Sequence, residues 1–178
     1  MPLASRQKIR FLPSPHQRAR TAAVDLIVVH HIACPPGNLR DTRDVEDLFL
    51  GRLDHAKHPA YAEVAGKELS AHFLVDRRGR VTQFVETDRA AFHAGASSWK
   101  GRPGCNEYSV GIELVGDGER AFTARQYASL ARLCRDLMRA HPAITRRRIV
   151  GHSDVAPGRK HDPGPSFDWG RLRGLLRR

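Results

Sequence analysis

The chain has 178 residues, a formal net charge of +11 and an aromatic content of only 7%. This length favours a single domain with its own hydrophobic core, and no apolar run is long enough to cross a membrane. The positive charge is compatible with acidic partners, but no basic run is interleaved with aromatic residues, as a stacking platform for single-stranded nucleic acid would need. We therefore expect neither a specific nucleic acid nor a membrane among the partners.

The cysteines and the amino terminus indicate a compartment. Cys34, Cys105 and Cys134 are far apart and odd in number, so they do not make a disulfide framework and fit a reducing cytoplasm. Residues 1–20 contain no apolar segment of the kind that a secretory signal needs. The sequence therefore predicts a cytoplasmic protein, and no pattern in it indicates an obligate protein partner.

The predicted elements begin with an arm. Residues 1–22 are polar, basic and proline-containing, and we expect them to lie over the domain. Residues 24–32 are rich in β-branched side chains and run into a proline-rich turn, which is typical of a buried strand entering a loop. A short helix is expected over residues 44–50 and a loop over residues 51–61.

The middle of the chain alternates apolar segments with turn residues, which is typical of strands. Its clearest feature is a hairpin closed by a tight turn at residues 77–79. The predicted strands of this part cover residues 70–76, 80–86, 90–94 and 108–115. Residues 96–107 contain two glycines and a proline and are predicted to form a loop.

The last third of the chain predicts a long helix. Thr123 and Gln126 have the spacing of a capping box, and apolar residues then recur every three or four positions until about residue 141. A short strand over 149–152 and a helix over 167–176 follow. Strands that alternate with helices imply an α/β fold, here one domain spanning residues 1–178 with a sheet layered by helices.

Residues 151–165 carry the densest group of chemically interesting side chains. Glycines and prolines predict an ordered loop here rather than a regular helix. The segment holds two possible metal ligands, His152 and Asp162, with Lys160 two residues before the aspartate. Asp162 precedes a proline, which favours extended backbone, and alternate residues of extended backbone face the same side. Lys160 and Asp162 are therefore expected to share one space, with His161 turned away.

A third ligand could come from the first long strand. His30 and His31 end this strand at the edge where open sheets bind ligands, and strand alternation lets only one of them face a given site. Two histidines and an aspartate are a plausible set for Zn²⁺, with a fourth position left for water. For any single histidine the plainer interpretation is a side chain hydrogen-bonded to a loop.

Glu113 lies inside the apolar run 110–114. A buried carboxylate without a partner is costly, so either an arginine pairs with it or its raised pKa suits it to act as a general base. Position alone does not choose between these two interpretations.

Other polar residues are interpreted as structural. His72 and His93 lie within predicted strands and are candidates for core histidines with satisfied hydrogen bonds. Ser70, Ser109 and Cys105 lack a recognisable neighbouring base, which disfavours a serine or cysteine nucleophile.

These residues occur in blocks that resemble the type-2 N-acetylmuramoyl-L-alanine amidases over nearly the whole chain. The blocks are residues 13–16, 28–30, 35–37, 70–72, 93–95 with 97–98, 105–106, 110–114, and finally 151–160 with 162–169. The last block is the most specific. Within the family the chain is most similar to the cytoplasmic branch that acts on 1,6-anhydro-muropeptides in wall recycling. Phage-lysozyme-like relatives have cysteine where this chain has Asp162.

The resemblance implies a central mixed β-sheet flanked by helices, with zinc in a groove on one face. By motif, the implied zinc ligands are His30, His152 and Asp162, which chooses His30 over His31. Glu113 matches the family's catalytic glutamate, and Lys160 matches the lysine that would stabilise the oxyanion beside the zinc.

The implied substrate is a small molecule, an anhydro-muropeptide, and several residues are candidates to contact it. Arg159 could bind a carboxylate of the stem peptide, because a guanidinium forks well onto carboxylates. The other candidate contacts are Ala156, Asn106, Arg102, His31 and Tyr61.

Three alternatives stay open. The first is a recognition module that binds peptidoglycan without hydrolysis, although Asp162, Glu113 and Lys160 together argue against it. The second is an amidase that degrades the polymeric wall. The third is a basic nucleic-acid binder, whose binding would survive mutation of His152.

Overall fold

The computed structural model describes residues 7–177. Within this range the strands are, in chain order, β1 (Ile9–Phe11), β2 (Gln17–Ala19), β3 (Leu26–Ile32), β4 (Phe73–Val75), β5 (Val81–Gln83), β6 (Arg89–Ala91), β7 (Ser98–Trp99), β8 (Arg102–Pro103), β9 (Ser109–Val115) and β10 (Ile149–Gly151). The α-helices are α1 (Arg43–Phe49), α2 (Ala124–Ala140), α3 (His152–Val155) and α4 (Trp169–Leu176). None of these helices is long and apolar enough to cross a membrane.

Six strands form the main sheet, in the order β1-β5-β4-β9-β3-β10. The hairpin β4–β5 is antiparallel, and the other neighbouring pairs are parallel. The predicted α/β class, with a mixed central sheet flanked by helices, is confirmed. The predicted domain of residues 1–178 and its arm at 1–22 extend beyond the described residues, because residues 1–6 and 178 are outside them.

The two longest strands, β3 and β9, lie side by side at the centre of the sheet. Their parallel register sets His30 directly opposite Glu113. Side chains alternate between the two faces of a strand, so Ser109, Gly111 and Glu113 share one face of β9. The intervening residues face α2 and α4 in the largest apolar cluster, which also contains Ile27 and Val29 of β3. His30 and Glu113 therefore point away from the long helix, towards the same side of the sheet.

Helix α2 begins as predicted. The Thr123 hydroxyl accepts a hydrogen bond from the Gln126 amide N–H, and the Gln126 side chain accepts one from the Thr123 N–H, which together make a capping box. The Gln126 side-chain amide is buried and donates to the Val115 carbonyl 2.9 Å away. This bond ties the start of the helix to the end of β9.

Several segments differ from the sequence-based predictions. Within the expected arm, residues 9–11 form an edge strand on β5 and residues 17–19 pair with β6. Two 3₁₀ helices, His55–Lys57 and Pro59–Val64, cover part of the expected loop and extend past its end. Strands β7 and β8 form a small ladder in the second expected loop. These elements are two to six residues long, too short to show a periodic pattern. The last is α3, a single helical turn within the expected loop. The Asp154 side chain accepts the Gly151 N–H at its start.

Gly111 leaves room for an imidazole on the site-facing side of β9. A Cβ added there would lie 2.4 Å from Cγ of His93. We expect Gly111→Ala to lower the free energy of unfolding by about 1–3 kcal/mol, because the ring or the strand must shift. Urea denaturation measures this change.

Gly174→Ala in α4 is the matched control, because a Cβ added there meets no atom within 4 Å. Its helical position makes alanine neutral or stabilising, by roughly 0.5–1 kcal/mol. Equal losses in both variants would contradict the proposed steric role of Gly111.

Candidate active site

Three predicted ligands meet at the carboxyl end of the central strands. His30 lies near the end of β3, His152 opens α3 directly after β10, and Asp162 follows in the next loop. The two Nδ1 atoms are 2.9 Å apart, and each is 3.0 Å from Oδ2 of Asp162. Both histidines are buried. Among the described residues, these three are the histidine, cysteine and carboxylate side chains grouped closely enough to hold a metal ion.

The hydrogen bond behind His152 shows how its ring is oriented. Its Nε2 lies 3.1 Å from the Ala94 carbonyl oxygen, which can only accept, so Nε2 carries the hydrogen. In the neutral ring, Nδ1 then presents a lone pair to His30 and Asp162. Two imidazole nitrogens and a carboxylate oxygen directed at one point fit a divalent cation such as zinc, with a position left open for water.

Protonation opposes cation binding only weakly at two of these ligands. Burial lowers the pKa of His30 to about 4, against the opposing effect of the Asp162 carboxylate. Burial alone would raise the pKa of Asp162, but its close contacts with His152 and His30 outweigh burial and lower that pKa. Near neutral pH, His30 is therefore neutral and Asp162 ionised, as metal ligands must be.

Glu113 is a buried carboxylate beside the ligand group. Its Oε2 is buried and has no hydrogen-bond partner among the described residues. Burial and the neighbouring Asp162 raise its pKa well above the usual range, while Lys160 acts in the opposite direction. No arginine pairs with it among the contacts of residues 7–177, so the ion-pair interpretation lacks support. A carboxylate with a raised pKa beside a metal site is suited to proton transfer.

Lys160 is exposed, yet its charge acts on the site. It lowers the pKa of both Glu113 and His30, so its ammonium is close enough to act on both groups. His161, between Lys160 and Asp162, is exposed and outside the ligand group.

Two further side chains form a hydrogen-bonded line on the side of His30 that faces away from the other ligands. His93 Nδ1 lies 2.9 Å from His30 Nε2, and His93 Nε2 lies 3.2 Å from the Ser109 hydroxyl. The expectation that Ser109 lacks a neighbouring base is therefore wrong. Ser109 is fully buried and donates to the Cys105 carbonyl, so the serine is still not a nucleophile. His93 is 63 positions from His30 and 16 from Ser109, so no local spacing in the sequence could reveal these contacts.

Two predicted substrate contacts are placed elsewhere. Tyr61 is only 2% exposed, and its hydroxyl donates to Asp44, 2.7 Å away. His31 lies on the opposite face of β3 from His30, with Nδ1 3.2 Å from the Gly116 carbonyl. The predictions that Tyr61 and His31 contact the substrate are corrected: burial removes the first from the surface, and alternation puts the second across the sheet.

Two of the other candidates hold the surrounding loops. Asn106 Oδ1 accepts the backbone N–H groups of His93 and Ala94, at 3.2 and 2.8 Å. Arg102 pairs with Asp25 at 3.1 Å, and its guanidinium lies over the Tyr108 ring. All of these bonds are internal to the protein.

The 156–160 turn carries the last two candidates. Ala156 is buried, and its carbonyl accepts the N–H groups of Arg159 and Lys160. The Arg159 side chain donates to the Ala94 and Ala96 carbonyls through Nε and Nη2. Ala94 thus receives hydrogen bonds from both Arg159 and His152. This leaves Nη1 of Arg159 as its group best able to take a ligand carboxylate.

The chain matches known amidases closely. The Amidase_2 family, described as N-acetylmuramoyl-L-alanine amidase, matches residues 20–165. The 1,6-anhydro-N-acetylmuramyl-L-alanine amidase AmpD of Haemophilus influenzae is 44% identical over 164 residues, covering 91% of this chain and 89% of that protein. A crystal structure of a selenomethionine AmpD derivative superposes with a TM-score of 0.91 at 44% identity and covers 94% of both chains.

A more distant structure has substrate bound. It is the AmiD amidase of E. coli in complex with anhydro-N-acetylmuramic acid-L-Ala-D-gamma-Glu-L-Lys. Its TM-score is 0.64 at 28% identity, covering 89% of this chain and 60% of that one. The family match and the AmpD relative each extend over most of the chain, so this protein belongs to the N-acetylmuramoyl-L-alanine amidase family and is an AmpD-like amidase.

Proposed function

We propose that the protein is a zinc-dependent amidase of peptidoglycan recycling, which hydrolyses the amide between the lactyl group and L-alanine of 1,6-anhydro-N-acetylmuramyl peptides. One observation carries the proposal: His30, His152 and Asp162 converge within 3.0 Å of one another beside the buried carboxylate of Glu113. The AmpD relatives support this choice of substrate. Zinc held by the three ligands would polarise the scissile carbonyl and acidify a water molecule.

Two side chains of the protein would then assist the reaction, one by proton transfer and one by hydrogen bonding. Glu113 accepts a proton from the attacking water and returns it to the L-alanine nitrogen as the C–N bond breaks. Lys160 donates a hydrogen bond to the carbonyl oxygen, where negative charge develops. One water is consumed, and the products are the anhydro-sugar acid and a free stem peptide.

The net charge and one arginine are consistent with a soluble muropeptide as substrate. The net charge of +11 suits a small molecule that carries several carboxylates, and Arg159 keeps one guanidinium nitrogen for them. We infer cytoplasmic action on small fragments, without a nucleic acid, a membrane or an obligate protein partner.

Product analysis separates this function from its closest rival. The purified protein with Zn²⁺ is given an anhydro-muropeptide or purified sacculi at matched muramic acid content, and released stem peptide is followed by mass spectrometry. We expect rapid release from the soluble fragment and little from sacculi. Comparable release from sacculi would favour a wall-degrading amidase, and no release from either substrate would favour a binding module.

Removing the carboxylate ligand tests the metal site. We expect Asp162→Asn to weaken zinc binding by about 10- to 100-fold or more, because a neutral amide oxygen replaces the negatively charged carboxylate as ligand. Competition with a chromogenic chelator measures the affinity. Chelation of the wild-type protein should abolish hydrolysis, and added Zn²⁺ should restore it.

Glu63→Gln is the control for that loss of charge, because Glu63 is exposed and outside the ligand group. It should bind zinc as the wild type does. Hydrolysis that persists after metal is removed from the wild type would refute metal dependence.

A further inference from the structure

A line of hydrogen bonds extends inward from His30, away from the metal ligands. His30 Nε2 is 2.9 Å from His93 Nδ1, His93 Nε2 is 3.2 Å from Ser109 Oγ, and Ser109 Oγ is 2.6 Å from the Cys105 carbonyl oxygen. Neither the proposed reaction nor the ligand set uses His93 or Ser109. The line ends at a main-chain atom of Cys105, the buried residue of the 3₁₀ turn Cys105–Glu107.

The direction of every bond in this line follows from its inner end. A carbonyl oxygen only accepts, so the Ser109 hydroxyl hydrogen points to Cys105. A lone pair of Ser109 Oγ therefore faces His93, whose Nε2 carries the hydrogen. Neutral His93 then has its lone pair on Nδ1, where it accepts the Nε2 hydrogen of His30. The remaining nitrogen of His30, Nδ1, is left with a lone pair towards His152 and Asp162.

We propose that His93 is a positioning residue: anchored through Ser109, it fixes the ring orientation of His30 and the tautomer in which Nδ1 can bind metal. This inference rests on the proposed zinc site. The Ala94 carbonyl does the same for His152 through a single bond. His30 lies deeper in the sheet, and its ring nitrogen meets a second imidazole instead of a carbonyl.

The surroundings of His93 restrict its ring. Asn106 holds the His93 main-chain N–H, and Gly111 leaves the space that the imidazole occupies. The rings of His30 and His72 pack edge-on against it, with centroids 5.0 and 5.6 Å away. These contacts hold the acceptor nitrogen of His93 against His30, which is what an orienting partner of a metal ligand requires.

Three variants test the proposal by zinc affinity, measured by chelator competition on protein shown to be folded by circular dichroism. His93→Leu removes the acceptor, and we expect about 10- to 100-fold weaker binding. His93→Asn places an oxygen close to the position of Nδ1, and we expect it to recover most of that loss. Ser109→Ala removes the oxygen that selects the His93 tautomer, and we expect an intermediate loss.

His141→Leu is the matched control. His141 is a half-buried histidine whose Nε2 lies 3.0 Å from the Thr87 hydroxyl, and among the described residues it bonds neither to a ligand nor to His93. It should lower stability while leaving the zinc affinity of the folded protein within about threefold of the wild type. If His93→Leu behaves in the same way, the proposal is wrong.

Ring tautomers provide a readout that does not depend on hydrolysis or on whether His93→Leu folds. Long-range ¹H–¹⁵N spectra of the wild-type protein should show hydrogen on Nε2 of both His30 and His93. Hydrogen on Nδ1 of His93 would overturn the proposal. A wild-type protein that binds no zinc would refute the proposed function itself, whereas zinc binding that is insensitive to His93→Leu would refute only the role of His93.

Discussion

Replacing Glu113 with glutamine is expected to lower kcat for muropeptide hydrolysis by about 10²–10⁴-fold while zinc stays bound. Glutamine keeps the shape of the side chain but cannot accept a proton from water at neutral pH. Since Glu113 is outside the ligand group, metal affinity should change far less than activity. Single-turnover release of stem peptide, with zinc content measured on the same sample, checks both parts.

The control for this variant is again Glu63→Gln, which makes the same substitution at an exposed position. Near-normal turnover of Glu113→Gln would remove Glu113 from the reaction. Loss of zinc together with activity would instead assign it to holding the metal.

Lys160→Met is expected to lower kcat by roughly 10²–10³-fold and to move the acid limb of the pH–rate profile to higher pH. Glu113 must be ionised to act as the base, so the rate falls as pH drops through its pKa. Burial and Asp162 raise that pKa, and the Lys160 charge lowers it. Without that charge the pKa rises further, so a higher pH is needed to ionise the base. Profiles of kcat/KM in the two proteins measure the shift.

Lys160→Arg separates charge from hydrogen-bond geometry. It keeps the cation, so the acid limb should stay close to that of the wild type even if kcat falls. An acid limb that stays in place or moves to lower pH in Lys160→Met would show that another group controls it.

The extent to which the sequence predicted this site differs between residues. His152, Lys160 and Asp162 lie within eleven residues, so local reasoning about proline and extended backbone could bring them together. For the first ligand, strand alternation allowed His30 or His31, and only the family resemblance chose between them. The structure agrees with that choice, because the His30–Glu113 register puts the two side chains on one face.

The supporting residues could not be predicted in the same way. His93, Ser109, Asn106 and Arg159 act through bonds to the backbone or to one another, which leave no periodic trace in the sequence. The same lack of a local pattern explains which elements of the fold the sequence did not predict. Elements with seven or more periodic residues, such as β3, β9 and α2, were predicted. In contrast, β1 depends on pairing with the distant β5, and the 3₁₀ helices are too short to show a period.

The pairing of His30 with Glu113 across β3 and β9 constrains how such an enzyme can change. Neighbouring strands lie about 4.8 Å apart, so backbone hydrogen bonds, and not loop conformation, set the separation of ligand and base. A one-residue insertion between Ser109 and Glu113 would turn the base to the opposite face. Asp162 and Lys160 lie on a loop outside the sheet, where the Ser153 N–H donates to the Asp162 carbonyl and fixes this ligand in a different way. Variation in substrate preference is therefore expected to accumulate in loops that carry no ligand or catalytic group, while the two central strands keep the length and alignment that the chemistry requires.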